Sequence, residues 1–215
     1  MKQHKITYQA VPRETFDNID EIIERFRVPL QSYLDQLFWW NERINLISRD
    51  VSRETAWDHI RHSLLLKHIP IYQSNSIIVD AGTGGGLPGL PLSITTENKQ
   101  FVLNDIVTKK ILAVKQIARK LSLENVSTDD GSIAELSIGN PFLLISKHAF
   151  KINDLFHLTN DLPWTGMIFY KGIHFKDELE GINSPLSIIV YDLFEESQDS
   201  FYKDKAIIQI EKNKH

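Results

Sequence analysis

Ile77-Ile78-Val79-Asp80-Ala81-Gly82-Thr83-Gly84-Gly85-Gly86-Leu87-Pro88-Gly89-Leu90-Pro91-Leu92-Ser93-Ile94 is the stretch on which the reading of this 215-residue chain turns. Its opening, with Ser76, is an apolar run of strand length that stops at an acid. Gly82, Gly84, Gly85 and Gly86 follow, where side chains would block positive φ angles and the approach of a ligand to the backbone. Leu87-Pro88 then opens a helix, since proline is tolerated in a first helical turn. The next apolar run, Phe101-Val102-Leu103-Asn104, delivers Asp105. In doubly wound sheets a carboxylate at the end of the second strand accepts hydrogen bonds from a ribose. Asp80, Gly82, Gly84 and Asp105 are thus candidate residues of one nucleoside site at the C-terminal ends of adjacent strands.

Outward from this point the alternation continues. Strand-like runs cover 76–80, 100–105, 125–128, 142–146, 167–170, 186–191 and 206–210. Helical patterns lie between most of them, the clearest over 109–121, with Leu112, Ile117 and Leu121 apolar and Lys110, Lys115, Arg119 and Lys120 polar. Alternating strands and helices predict an α/β fold with a doubly wound, mostly parallel sheet of seven strands. A turn-rich link containing Glu195, Glu196, Ser197 and Gln198 joins the last two, which are expected as an antiparallel hairpin at the sheet edge. Upstream, Phe26, Leu30, Tyr33, Leu34, Leu37 and Trp40 recur every three or four residues, with Pro29 interrupting, and a second helix runs from Ser52 towards Pro70. Residues 1–75 are therefore expected as a helical segment packed on a ligand-binding core of residues 76–215, together one compact unit.

Composition narrows the function. The chain is 42% hydrophobic and 24% charged, with a mean hydropathy of -0.22 and no apolar run near the roughly 18 residues of a membrane span. Without cysteine there is no disulfide, thiolate zinc site or thiol nucleophile, and the eight histidines lack metal-ligand spacing, so no metal is expected. The first residues carry no apolar signal core, which makes the cytoplasm the expected location. Net charge is -4, from 24 Lys and Arg against 28 Asp and Glu. That excludes a protein coating nucleic acid indiscriminately. The acidic excess lies in residues 151–215, which leaves room for a basic surface upstream.

Gly84, Gly86 and Gly89 match the dinucleotide pattern G-x-G-x-x-G, but Pro88 lacks the N–H that a pyrophosphate would need. Asp80-x-Gly82-x-Gly84-x-Gly86 instead resembles the first motif of class I S-adenosylmethionine (SAM) methyltransferases. A dinucleotide stays as the competing ligand, although no Tyr-x-x-x-Lys or His/Asp hydride-transfer set accompanies it.

Taken together, the motifs resemble the small-subunit ribosomal RNA methyltransferase G family, also called glucose-inhibited division protein B. Trp40-Asn41 with Asn45-Leu46, His59 with Ser63, and the run from Asp80 to Leu92 carry the likeness first. Asp105 with Lys109-Lys110, Leu123-Glu124-Asn125, Ile145-Ser146 and Lys171-Gly172 extend it in order, across about residues 30–172. The resemblance implies a class I methyltransferase sheet and transfer of a methyl group from SAM, leaving S-adenosylhomocysteine. The acceptor it implies is guanine N7 in small-subunit (16S) rRNA, free or in the subunit particle. Gly82, Gly84 and Leu87 would then lie against SAM, Ile133 and Ala134 would flank the adenine, and Lys147 would sit beside cofactor or substrate. Where the family usually carries Arg this chain has Asp58, Ser132 and Lys147, and His62 stands for its usual Asp. Lysine cannot form the bidentate fork of arginine.

Guanine N7 is an in-plane lone pair with no proton to remove, so alignment takes the place of a general base and no catalytic acid or base is expected. Asp80 and Asp105 would hold cofactor. Arg49, His59, Lys109, Lys110 and Lys171 are the candidate RNA contacts, and Arg43, Arg53 and Arg61 add phosphate-binding charge to the N-terminal segment. His59, on a helix beside Leu64, Leu65 and Leu66, reads equally well as a packing residue. Trp39 and Trp40 can stack a base, but their spacing with Phe38 favours the core. A monomer is expected. Two other readings stay open: a methyltransferase for a small molecule, and a non-catalytic SAM- and RNA-binding protein.

Overall fold

β-branched Ile77, Ile78 and Val79 favour a pleated strand, and from Ile78 to Ala81 that strand is buried on both faces. A computed structural model describes residues 4–212. Among them are the strands β1 (Lys5–Ala10), β2 (Ile77–Ala81), β3 (Gln100–Asn104), β4 (Val126–Asp129), β5 (Phe142–Lys147), β6 (Trp164–Gly172), β7 (Leu186–Asp192) and β8 (Lys205–Lys212). The helices are α1 (Arg13–Arg25), α2 (Arg27–Asn41), α3 (Arg53–Leu64), α4 (Pro70–Ser74), α5 (Gly89–Ile94), α6 (Thr108–Lys120) and α7 (Ile152–Leu158).

The strands form one sheet in the order β1-β7-β8-β6-β5-β2-β3-β4. β8 runs antiparallel to β6 and β7, and the remaining pairs are parallel. From β2 the chain moves to β3 and β4 on one side, then resumes with β5 and β6 on the other. β2 and β5 therefore flank the topological switch point, beyond whose strand ends open α/β sheets bind ligands.

Two expectations are corrected here. The sheet has eight strands rather than seven, because Lys5–Ala10 pairs with β7, so the N-terminal segment is not wholly helical. Only Ile6 of β1 is even half-buried, which is why no alternating apolar pattern announced it. For the same reason the antiparallel β7–β8 hairpin is not the sheet edge, since β1 covers β7.

Local chemistry explains the helices. Pro29 has no N–H for the carbonyl of Arg25, and the chain breaks at Phe26 between α1 and α2. Ser52 caps α3, its Oγ accepting from the Thr55 N–H at 3.0 Å. In α6 the buried face is Ile111, Val114, Ile117 and Ala118, whereas Leu112 is 54% exposed, contrary to the periodicity reading. Leu112 lies roughly 100° around the helix from Ile111, and the sheet takes the latter face. Trp39 is likewise 46% exposed, and Trp40 half-buried, because α2 turns Leu30, Tyr33, Leu34 and Leu37 inward. Leu30, Leu37, Ile60, Leu64, Leu90 and Val114 build one core, while Leu144, Phe156, Phe169 and Ile188 belong to a second.

Leu37 is fully buried and reaches the glycine loop, where a Cβ on Gly85 would lie 2.6 Å from its Cδ1. Leu37→Ala is expected to lower the unfolding free energy by about 2–5 kcal/mol, read from urea denaturation with an unchanged m value. His62 on α3 is fully buried, with ring centroids 4.9 Å from Tyr170, 5.8 Å from Tyr202 and 6.0 Å from Phe201. Neither ring nitrogen has a hydrogen-bond partner among the described residues. Burial, and then the charges of Lys147, His59, His148 and Lys205, hold His62 well below its ordinary value of 6.5. A depressed histidine stabilises the fold above its unfolded pKa and loses that contribution as pH falls, because the unfolded state takes up the proton. His62→Leu should therefore flatten the drop in Tm between about pH 7 and 5; an unaltered slope would assign the acid sensitivity to other groups.

Candidate functional site

Beyond β2 the chain turns at Gly82, whose φ of +72° is left-handed and whose Cβ, if present, would lie 2.4 Å from Ala149 Cβ. Both facts require glycine. Gly89, at the start of α5, packs directly on β2 and β3; a Cβ there would meet Leu103 Cδ2 at 2.2 Å and Asp80 Oδ2 at 2.9 Å. This approach lets the Gly89 N–H donate to Asp80 Oδ2 at 3.0 Å, while the Thr83 hydroxyl donates to the same oxygen at 2.7 Å. Asp80 is fully buried. Burial pushes its carboxyl up to about 7, opposed by these two hydrogen bonds and then by Lys147. Asp80 holds the loop from beneath and lines neither of the two cavities that the loop separates.

The loop amides are committed elsewhere. Gly82 and Thr83 N–H both donate to the Asn104 carbonyl at 2.9 Å, and Gly86 and Leu87 N–H to that of Thr83 at 2.8 and 3.1 Å. Gly84 N–H donates to Asp105 Oδ2 at 3.1 Å. A pyrophosphate would meet a loop in which these five N–H groups are already satisfied, which argues against the dinucleotide reading.

Gly82, Gly84, Lys147 and His148 line both cavities and form the wall between them. The larger cavity, of about 650 Å³, is completed by Asp105, Ile106, Val107, Lys110, Ile133 and Phe150 among others. Its size suits a small-molecule ligand. Asp105 Oδ1 accepts from the Val107 N–H at 2.9 Å and Oδ2 from Gly84, leaving a lone pair on each oxygen for ribose hydroxyls. Ile106, 73% exposed, and buried Ile133 offer apolar surface for a flat ring. These residues fit the nucleoside part of SAM.

The smaller cavity, of about 430 Å³, is walled by Leu46, Ile47, Val51, Ala56, His59 and Leu87. Asn41 Oδ1 accepts from the N–H groups of Leu46 at 2.8 Å and Ile47 at 3.0 Å, folding that segment against the glycine loop. Tyr33 donates its hydroxyl to the Gly85 carbonyl at 3.0 Å. Lys147, buried at the end of β5, donates through Nζ to the His59 carbonyl at 2.9 Å and to Ser63 Oγ at 3.4 Å. Burial brings its ammonium down to about 7 against the attraction of Asp80. Burial and Lys147 together push His59 down to about 3, so its imidazole is neutral at neutral pH.

Of the residues singled out from the sequence, Gly82, Gly84, Asp105, Lys110, Ile133 and Lys147 meet at the larger cavity. Leu87 and His59 meet at the smaller one. Ala134 and Lys109 are exposed and line neither cavity. Arg49 is exposed, with Nε donating to Asn45 Oδ1 at 3.0 Å. Lys171, expected as an RNA contact, is paired with Glu178 at 2.8 Å, with only 13% of its side chain exposed. Asn104, Gly131, Ala149 and Phe150 also wall the larger cavity, although no motif marks them. A signal existed for His148 to Phe150, which directly follow a strand end at the switch point. Asn104 carried none, because its amide serves a long-range contact, donating to Asp129 Oδ2 at 2.6 Å and to the Gly131 carbonyl at 2.9 Å.

Among the described residues no helix is long and apolar enough to cross a membrane, and no group of three or more His, Cys, Asp or Glu could hold a metal ion. A family model described as rRNA small subunit methyltransferase G matches residues 28–199. Ribosomal RNA small subunit methyltransferase G of Flavobacterium johnsoniae is 30% identical over 205 residues, covering 91% of this chain and 94% of that protein. The Vibrio vulnificus protein of the same name is 32% identical over 164 residues, covering 74% and 76%. Among solved structures, the O-methyltransferase from Bacillus cereus in complex with SAH shares the fold with a TM-score of 0.55 at 17% identity, covering 93% of this chain and all of that one. Sequence likeness spanning both the cavities and the helices that close them shows that the chain belongs to the rRNA small subunit methyltransferase G family.

Proposed function

We propose that the protein transfers a methyl group from SAM to guanine N7 of small-subunit (16S) rRNA. The observation that carries this reading is the shared wall: two cavities, one suited to a nucleoside and one walled largely by apolar side chains, meet at Gly82, Gly84, Lys147 and His148. Bound in the larger cavity, SAM supplies a methyl group on a sulfonium. Asp105 would hold the ribose, Ile106 and Ile133 would flank the adenine, and the backbone of Gly82 and Gly84 would lie against the remainder. Leu46, Ile47, Val51 and Leu87 exclude water from the base and orient its edge toward the wall.

No residue needs to accept a proton, because guanine N7 has none to give. Positioning of this kind can lower a barrier by about 7–11 kcal/mol. His59 borders the acceptor cavity as a neutral ring and adds no charge against a cationic product. Lys147 ties the end of β5 to α3 and so keeps the two cavities in register; Asp80 does the same from below the loop. One chain completes both cavities, which supports a monomer as the acting unit. The acceptor is the rRNA or the particle containing it, and the cytoplasm is the place of action.

The test uses small-subunit rRNA and subunit particles from cells lacking this protein, incubated with SAM and digested for nucleoside mass spectrometry. One 7-methylguanosine per RNA is expected. Asp105→Ala should weaken SAM binding at least about tenfold by calorimetry, equivalent to about 1.4 kcal/mol, and reduce transfer at limiting SAM. Wild-type protein saturated with SAM that leaves both RNA and particle unmodified would sink the proposal.

A further inference from the structure

α6 carries Lys109, Lys110, Lys115, Arg119 and Lys120 and no carboxylate, in a chain whose net charge is -4. Lys110 lies 3.9 Å from Asp105 at the larger cavity. Among the described residues Arg119 and Lys120 make no ion pair. Roughly 14 Å further along the helix, these two cations open onto a groove of about 760 Å³ between α6 and α2. Gln36, Trp39, Trp40 and Gln116 complete its lining, which contains no acid. Trp39 is 46% exposed, with the Arg43 guanidinium 3.6 Å above its ring and Trp40 in edge contact at 5.0 Å. Core packing does not account for an indole left so open.

We propose that this groove is a second RNA-binding site, which grips the rRNA strand at a distance from the nucleotide being methylated. The chemistry is that of single-strand recognition: arginine and lysine for phosphates, an indole and a guanidinium plane for stacking a base, and glutamine amides for base edges. Lys109 and Lys115, also exposed on α6, lie along the helix between the groove and the cofactor cavity. The inference rests on RNA being the substrate and adds where that RNA is held.

The test is filter binding of labelled small-subunit rRNA over a salt series, with SAM affinity and Tm measured on the same samples. Arg119→Ala with Lys120→Ala is expected to weaken RNA binding about tenfold and to reduce the slope of log K against log salt by about 1.4. Trp39→Ala should weaken it at least about fivefold, with Trp39→Phe restoring most of the loss. SAM affinity and Tm should stay as in the wild type. Wild-type affinity and slope in both alanine variants would overturn the inference, leaving the groove to a protein surface or to nothing, as would a wild-type chain that binds no RNA. Groove-dependent RNA binding without any methyl transfer would instead count only against the proposed reaction.

Discussion

Asp80 sits beneath the glycine loop and takes the Thr83 hydroxyl and the Gly89 amide on one carboxylate oxygen. Losing a buried acceptor of this kind leaves its donors unpaired, at about 1–3 kcal/mol, so the loop is not free to relax. The bond to Gly89 exists only because that residue has no Cβ, and it seats α5 directly against β2 and β3. The Asn104 carbonyl completes the anchorage by accepting from Gly82 and Thr83. Because Asp105 is the next residue, the same contact brings its carboxylate to Gly84. One buried acid and one strand-end carbonyl thereby set the wall on which both cavities depend.

The N-terminal helices turn that wall into a two-sided site. Asn41 shapes the Leu46–Ile47 segment, Tyr33 and Leu37 press on Gly85, and Lys147 reaches from the sheet to the backbone of α3. The smaller cavity therefore draws its lining from the first 60 residues as much as from the glycine loop. Burial works against charge on the titratable groups around it: His59 and His62 are depressed, and Lys147 is brought down to about 7. The lining of this cavity is largely apolar, while the strong positive charge lies outside, along α6.

Much of the site was legible in the sequence because its signals are local. Glycines at 82, 84, 85 and 86, the proline at 88, and acids ending two apolar runs act through backbone preferences that need no distant partner. The Ser52 cap and the helix break near Pro29 are of the same kind. β1 was not legible, since an edge strand with exposed residues has no alternating pattern to read. The solvent face of α6 was misread at Leu112, and Trp39 at the end of α2, because helical spacing gives a stripe without saying which neighbour will cover it. The pairing of Lys171 with Glu178, seven residues on, has no local pattern that announces it.

The sequence by itself determined a strand, a glycine turn, a helix and a second strand with its acid, and hence the α/β class and a candidate nucleoside site at strand ends. Tertiary structure alone decided that Asp80 supports the loop from inside, that Leu46 and His59 come to face the same glycines as Asp105, and that Trp39 remains open beside Arg119. Those outcomes depend on elements far apart in the chain, whose burial is set by what packs on them and not by their own residues.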